Sequence, residues 1–335
     1  MSKIYETENY KDKLDIRTTD KAIKFVKDNF ENTFARHLNL ERITAPLFVT
    51  AESGLNDDLS GRERPVAFDI PDAGEYVQVV HSLAKWKRKA LLRYGFEAGE
   101  GIYTDMNAIR RDEELDNIHS VYVDQWDWEK VIEKEDRNLD YLCKITDEVF
   151  SSLCETQEKV CMNFPKLTPL IKRNFKMITT EELLKKYPDM TAKERENAIC
   201  REYGSVLLTK IGDKLSNGEP HDMRAPDYDD WQLNGDILIW YEPLGRALEL
   251  SSMGIRVDPE SMLSQLRKAN CMSRSELPFH KELIEGKLPL TVGGGIGQSR
   301  ICMVMLNKVH IGEVQASIWS NDIINDCKNK GITLL

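Results

Sequence analysis

Apolar residues recur three or four apart along residues 20–38. Ile23, Val26, Phe30, Phe34 and Leu38 share one face there, and the spacing predicts an amphipathic helix. The character then changes: LERITAPLFVT reads as β-rich, with Pro46 suited to a strand edge. EYVQVV (75–80) predicts a strand, and SLAKWKRKALLRY (82–94) a helix with Ser82 as its N-cap. IHSVYVDQWDW (118–128) alternates, which predicts a strand carrying Val121, Val123, Gln125 and Asp127 on one face. Helices are expected over 138–162, 180–188, 191–204, 261–269 and 280–287, the second stopped by Pro188 and the third closed by Gly204. SVLLTKIG, GDILIWYEP and ALELSSMGI read as strands, and LPLTV runs into a helix-like QSRICMVMLNK. The order lacks a regular βαβ alternation and predicts an α+β fold around a central, mainly antiparallel sheet flanked by helices. No linker or repeat divides the sequence, so 1–335 reads as a single domain whose first fifteen residues carry little pattern.

Composition narrows the function classes. Of 335 residues 41% are hydrophobic, enough for a substantial core. A net charge of −10 argues against broad nucleic-acid or anionic-membrane binding, which needs a basic footprint. No apolar run reaches transmembrane length, and the first twenty residues do not read as a secretory signal. Seven irregularly spaced cysteines with no CxxC suit reduced thiols in a cytoplasmic protein. HExxH and the usual P-loop pattern are both absent.

The densest chemical signal is TVGGGIGQSR (291–300). A dinucleotide-binding reading fails, because Arg300 stands where the third glycine should be and only 35 residues follow it. Gly293, Gly295 and Gly297 recur every second residue and would leave one strand face bare, so that a flat ring could lie against the backbone. The helix that follows would turn its N-terminus toward anionic groups, and Arg300 adds a full charge. On the glycines alone, a tight turn or a close helix–sheet contact is the leading reading.

The rest of the chain changes that balance. GGGIGQSR resembles the third signature motif of class II aminoacyl-tRNA synthetases, IRRDE (109–113) the second, and the helix leading to LERITAPL the first. More narrowly, VVHSLAKWKR (79–88), AGEGIYTDMNAIR (98–110), HSVYVDQWDWE (119–129), HDMRAPDYDDW (221–231), LNGDI (233–237) and ELSSMGIRVD (249–258) together resemble the ammonia-dependent asparagine synthetase (aspartate–ammonia ligase) family. The resemblance runs from about residue 20 to residue 320. It implies a class II synthetase-like catalytic domain, a homodimer, and no anticodon-binding module. It also implies that ATP and Mg2+ convert L-aspartate and ammonia to L-asparagine through β-aspartyl-AMP.

By that resemblance Arg110 is expected on the α-phosphate and the carboxylate, and Arg300 near the adenine and terminal phosphate. Lys87, Val123, Gln125 and the three glycines would also contact ATP. Asp236 and Glu249 would hold Mg2+, with Ser252 nearby. Residues 249 and 252 point to opposite faces of a regular strand, so a bulge is required if both reach the site. Ser82, Gln125, Asp127, Arg224, Asp229 and Ser252 would contact aspartate. Asp127 shares a face with two valines, and burying it calls for a cationic partner such as the substrate ammonium. Asp227 and Asp230 read as part of a solvated acidic loop, and most of the basic residues around Lys87 as a solvated face. His81 reads as structural, and any lid between Trp231 and Asn234 as minimal. Asp57, with Asp58 as the alternative register, would enter the aspartate/ammonia pocket and attract ammonium or help remove its proton, since only neutral NH3 is nucleophilic. Glutamine is not expected as nitrogen donor, because the chain starts Met1-Ser2 and shows no nucleophilic cysteine turn. The alternatives are a truncated aspartyl- or asparaginyl-tRNA synthetase relative, and a catalytically inactive binding protein.

Overall fold

A computed structural model describes residues 10–57, 59 and 63–335. The chain runs through α1 (Ile16–Leu38), β1 (Leu40–Arg42), β2 (Phe48–Thr50), β3 (Ala67–Ile70), β4 (Glu75–Val79), α2 (Ala84–Tyr94), β5 (Gly101–Ile109) and β6 (Tyr122–Val131). It continues through α3 (Leu139–Asn163), β7 (Lys176–Thr179), α4 (Thr180–Lys186), α5 (Ala192–Tyr203), β8 (Ser205–Thr209), β9 (Asp229–Tyr241) and β10 (Arg246–Arg256). The last elements are α6 (Pro259–Lys268), α7 (Pro278–Ile284), β11 (Thr291–Gly297), α8 (Gln298–Met305) and α9 (Asn321–Asn329).

Eight strands form one sheet in the order β1-β5-β6-β11-β10-β9-β8-β7. Only its outer pairs, β1/β5 and β7/β8, are parallel; all the central pairs are antiparallel. A second sheet, β2-β4-β3, stands apart from it. Against the expected elements, Trp231 to Asn234 is not a loop but part of β9, and the strand expected from residue 118 starts at Tyr122.

One side of the sheet is the apolar core. Asp15 caps α1 by accepting from the Thr18 N–H at 3.0 Å, and the buried Val26, Phe30 and Phe34 turn inward. Phe30 and Phe34 pack on Trp126 and Trp128, two alternate residues of β6. α3 packs beside α1, and α8 is buried along almost its whole length. With that side filled, the odd-numbered residues of β6 face the other way, toward the site. N-terminal residues join the core too: the Tyr10 hydroxyl donates to Glu313 at 2.7 Å and Lys308 pairs with Asp12 at 2.6 Å.

Candidate active site

A cavity of about 410 Å3 opens on the face of the sheet away from α1, over β6, β11 and β10. Arg110, at the end of β5, and Arg300, in the first turn of α8, both line it. Arg300 is held by two backbone carbonyls, Glu249 O at 2.8 Å and Ile118 O at 3.3 Å. Among the described residues neither arginine has a carboxylate ion-pair partner, and the Arg110 Nε is buried without an acceptor. Burial lowers the Arg300 pKa; Glu249 opposes this and the like charge of Arg110 adds to it. Two guanidiniums that repel each other across a cavity form a site that an anion would stabilise.

A second group of lining charges is built around carboxylates. Asp127 and Asp229 line the cavity, and each is tied to a buried cation. Lys87 pairs with Asp127 and lies 3.6 Å from Glu129, Arg256 pairs with Glu129 at 2.7 Å, and Arg256 also pairs with Asp229. Three carboxylates and two cations leave this buried ladder with one excess negative charge. Burial raises the Asp229 pKa, with Arg256 opposing. An ammonium entering the cavity would neutralise the excess.

Most of the expected site residues meet here. Asp57, Ser82, Val123, Gln125, Arg224, Glu249, Ser252, Gly295 and Gly297 line the cavity with those already named. The expected bulge is present: the register of β10 against β9 shifts between Glu249 and Ser251, which brings both Glu249 and Ser252 to the cavity. Ser82 is not the N-cap of α2: Leu83 holds that position without a side-chain cap, and the Ser82 hydroxyl only accepts from the Ala84 N–H at 3.1 Å just before the helix. Asp57 is buried; its Oδ1 accepts from the Leu59 N–H at 2.8 Å, and its Oδ2 has no hydrogen-bond partner among the described residues. Burial raises the Asp57 pKa, with Lys85 opposing and Asp227 adding to it. Asp58 lies outside the described residues.

Several expectations are corrected. Lys87 does not reach the cavity: it is completely buried and donates to Asp127, to Trp128 O at 2.7 Å and to Gly294 O at 3.3 Å. The cation that compensates Asp127 is therefore internal. Gly293 does not reach the cavity either, because the Glu129–Arg256 pair fills the space above it, and the Gln125 amide covers Gly295. The shelf is bare only in part. The N-terminus of α8 is already occupied, since Asp124 accepts from the Ser299 N–H at 3.0 Å and the Ser299 hydroxyl at 2.8 Å. The basic residues around Lys87 are a solvated face only in part: Lys85 and Arg88 are buried, Lys89 is half-buried and Arg93 is exposed. Asp227 and Asp230 are not solvated: Asp227 pairs with Lys85 at 3.2 Å and His280 at 2.9 Å, and Asp230 with Arg137 at 3.0 Å. His81 is buried, its Nδ1 lying 3.0 Å from Asp57 O and its Nε2 without a partner among the described residues.

Asp236 sits behind the cavity wall. Its Oδ2 pairs with Arg224, and its Oδ1 is buried with no partner. Burial raises its pKa to about 7, with Glu249 adding to the rise and Arg224 opposing it. No group of three or more His, Cys, Asp or Glu side chains that could hold a metal occurs among the described residues. An orphaned carboxylate oxygen beside a second carboxylate still fits Mg2+, which takes one or two carboxylates and completes its shell with water and phosphate.

Arg256 and Glu129 are the residues that the sequence reading missed. Glu129 simply extends the alternate face that carries Val123, Gln125 and Asp127. Arg256 lies two residues beyond Gly254, whose missing side chain makes room for the Asp229 carboxylate.

Residues 17–331 match the family profile described as aspartate-ammonia ligase. An aspartate–ammonia ligase of Clostridium perfringens is 57% identical over 100% of both chains. One from Clostridium tetani is 59% identical over 97% of this chain and 96% of its own, and one from Lactobacillus johnsonii is 56% identical over 98% of each. Among solved structures, asparaginyl-tRNA synthetase of Pyrococcus horikoshii complexed with asparaginyl-adenylate superposes with a TM-score of 0.66 at 16% identity, over 91% of this chain and 71% of that one. Aspartyl-tRNA synthetase of Entamoeba histolytica gives 0.60 at 16% identity, over 89% of this chain and 58% of that one. The fold is thus that of the class II synthetase catalytic domain.

Proposed function

The chain belongs to the aspartate–ammonia ligase family, and from that premise we propose that its cavity joins L-aspartate and ammonia at the expense of ATP. The observation that carries the reading is that the cavity is lined both by Arg110 and Arg300, which have no carboxylate ion-pair partner among the described residues, and by the carboxylates Asp127 and Asp229. A triphosphate suits the first and an amino-acid ammonium the second.

In the first step the β-carboxylate of aspartate attacks the α-phosphorus of ATP, and pyrophosphate leaves. Arg110 offsets the repulsion between the two anions and can hold an oxygen of each in its planar fork. Arg300 faces the nucleotide beside Gly297 and Val123. In the second step ammonia attacks the acyl carbon of β-aspartyl-AMP, the bond to AMP breaks, and asparagine forms with loss of one proton. Asp57, buried at the cavity wall with one oxygen unpartnered, is suited to take that proton. Asp236 and Glu249, with Ser252, would hold Mg2+, which supplies charge neutralisation at the phosphates. Arg256 presents a guanidinium to the amino-acid part of the cavity, where it would read a carboxylate.

The reading also includes a cytoplasmic homodimer. All seven cysteines are free thiols, and no described helix is long and apolar enough to cross a membrane. The small sheet exposes Phe48, Phe68 and Tyr76, and the first two rings meet edge to face with centroids 5.3 Å apart. Such an aromatic patch is suited to burial against a second copy.

The deciding assay supplies ATP, Mg2+, aspartate and ammonium. AMP and asparagine are expected in equal amounts, together with aspartate-dependent ATP–pyrophosphate exchange in the absence of ammonium. Release of ADP instead of AMP would exclude the acyl adenylate. Aminoacyl transfer to added RNA would favour a tRNA synthetase relative.

A further inference from the structure

The first glycine of the strand–helix motif has a role other than the nucleotide. A Cβ on Gly293 would come within 2.6 Å of an Arg256 terminal nitrogen and would collide with the Glu129 carboxylate. Glu129 is completely buried. It holds Arg256 through two atoms, Nε to Oε1 at 2.9 Å and Nη2 to Oε2 at 2.7 Å. Thr291, two residues before Gly293 on β11, donates its hydroxyl to the same carboxylate at 2.7 Å. One strand thus orients Glu129 and also clears the space for its partner. Arg256 lines the cavity, and its Nη1 donates to Asp229. Three of its five N–H donors are used in these bonds and two remain. A guanidinium fixed in one plane by a bidentate carboxylate is pre-organised to grip a second one.

We propose that Glu129 and Gly293 are positioning residues for the acidic amino acid, fixing the plane in which Arg256 offers its two remaining N–H groups to a substrate carboxylate. This rests on the reading that the cavity takes aspartate. On it, the alternate glycines serve both substrates: Gly297 faces the nucleotide, and Gly293 serves the amino acid through the ion pair.

The test compares Michaelis constants for aspartate and ATP, read from AMP release at saturating ammonium. Glu129→Gln adds no atom but removes the charge and one acceptor. It is expected to raise the aspartate KM about tenfold or more, the scale of one charge-assisted hydrogen bond, and to leave the ATP KM within about twofold. Gly293→Ala should show the same split. A merely structural role would lower the active fraction, hence kcat, and move neither constant. Thermal unfolding checks that each variant is folded. If Gly293→Ala yields too little protein, Glu129→Gln decides; Thr291→Val, which keeps both charges paired, gives the same split in milder form if neither can be assayed. An unchanged aspartate KM, or an equal rise in both constants, overturns the proposal. A wild-type chain that releases no AMP with aspartate and ammonium would instead overturn the function on which it rests.

Discussion

At the scale of single residues, burial decides what a charge can do. Lys87 and Arg300 are both cations on helices near the cavity, but Lys87 is consumed by Asp127 and Glu129 while Arg300 is held only by carbonyl oxygens. Lys87→Met should therefore act on stability. It would leave buried carboxylates uncompensated, at a cost of about 3–5 kcal/mol, visible as a lower denaturant midpoint in the ligand-free protein. A variant as stable as the wild type but with weakened ATP binding would return Lys87 to the nucleotide site. Asp57 makes the opposite case, with one carboxylate oxygen bonded and the other left over. For Asp57→Asn, aspartate-dependent ATP–pyrophosphate exchange should survive while asparagine formation falls by about 10²-fold or more, the usual scale of general-base loss. Equal loss of both would remove Asp57 from the ammonia step.

At the scale of elements, strand and helix join with their polar ends already matched. α8 begins where β11 ends, and Asp124 of neighbouring β6 caps it through the Ser299 N–H and hydroxyl. Lys27 of α1 pairs with the same carboxylate at 3.0 Å. The helix terminus that looked open to a phosphate is thus closed by the chain itself. Asp124→Ala should cost about 0.5–2 kcal/mol from the lost cap, measured by chemical denaturation, with Arg300 beside the cavity displaced and the ATP KM raised. Unchanged stability would show that the cap contributes nothing. The bulge in β10 works differently: one extra residue lets Glu249 and Ser252, which a regular strand would turn to opposite faces, both reach the cavity.

At the scale of the whole molecule, buried carboxylates set how stability varies with pH. Asp236 has its pKa raised to about 7. Between about pH 4 and pH 7 the folded state keeps a proton that the unfolded chain releases, so stability falls as pH rises through that window and levels off above it. Glu129 and Asp227 have theirs lowered: burial opposes this, but Arg256 and Lys87 outweigh it for Glu129, and Lys85 and His280 for Asp227. Their contribution is present above the ordinary carboxylate range and is lost as pH falls through their folded values. The Tm of the ligand-free protein should decline from about pH 5 to pH 7, and Asp236→Asn should flatten that decline; an identical slope in the variant would refute the assignment. Phe68→Asp should give monomers by sedimentation if the small sheet is the dimer face, and an undisturbed dimer would place the interface elsewhere. The class of the fold and most elements could be read from the chain, because hydrophobic period and local motif spacing act over a few residues, and the family resemblance reached part of the cavity lining. β3, β5, β7 and α9 escaped that reading, being short or lacking a clean alternation. The amino acids themselves determined that there would be a mainly antiparallel sheet, a glycine-bearing strand before a buried helix, and arginines available for an anion. Only the tertiary structure decided which charges stay available to a ligand. Lys87, the Asp127–Glu129 stretch, Asp229 and Arg256 lie far apart in the chain, and whether such groups neutralise one another depends on distances of a few ångströms that strand pairing and helix packing create.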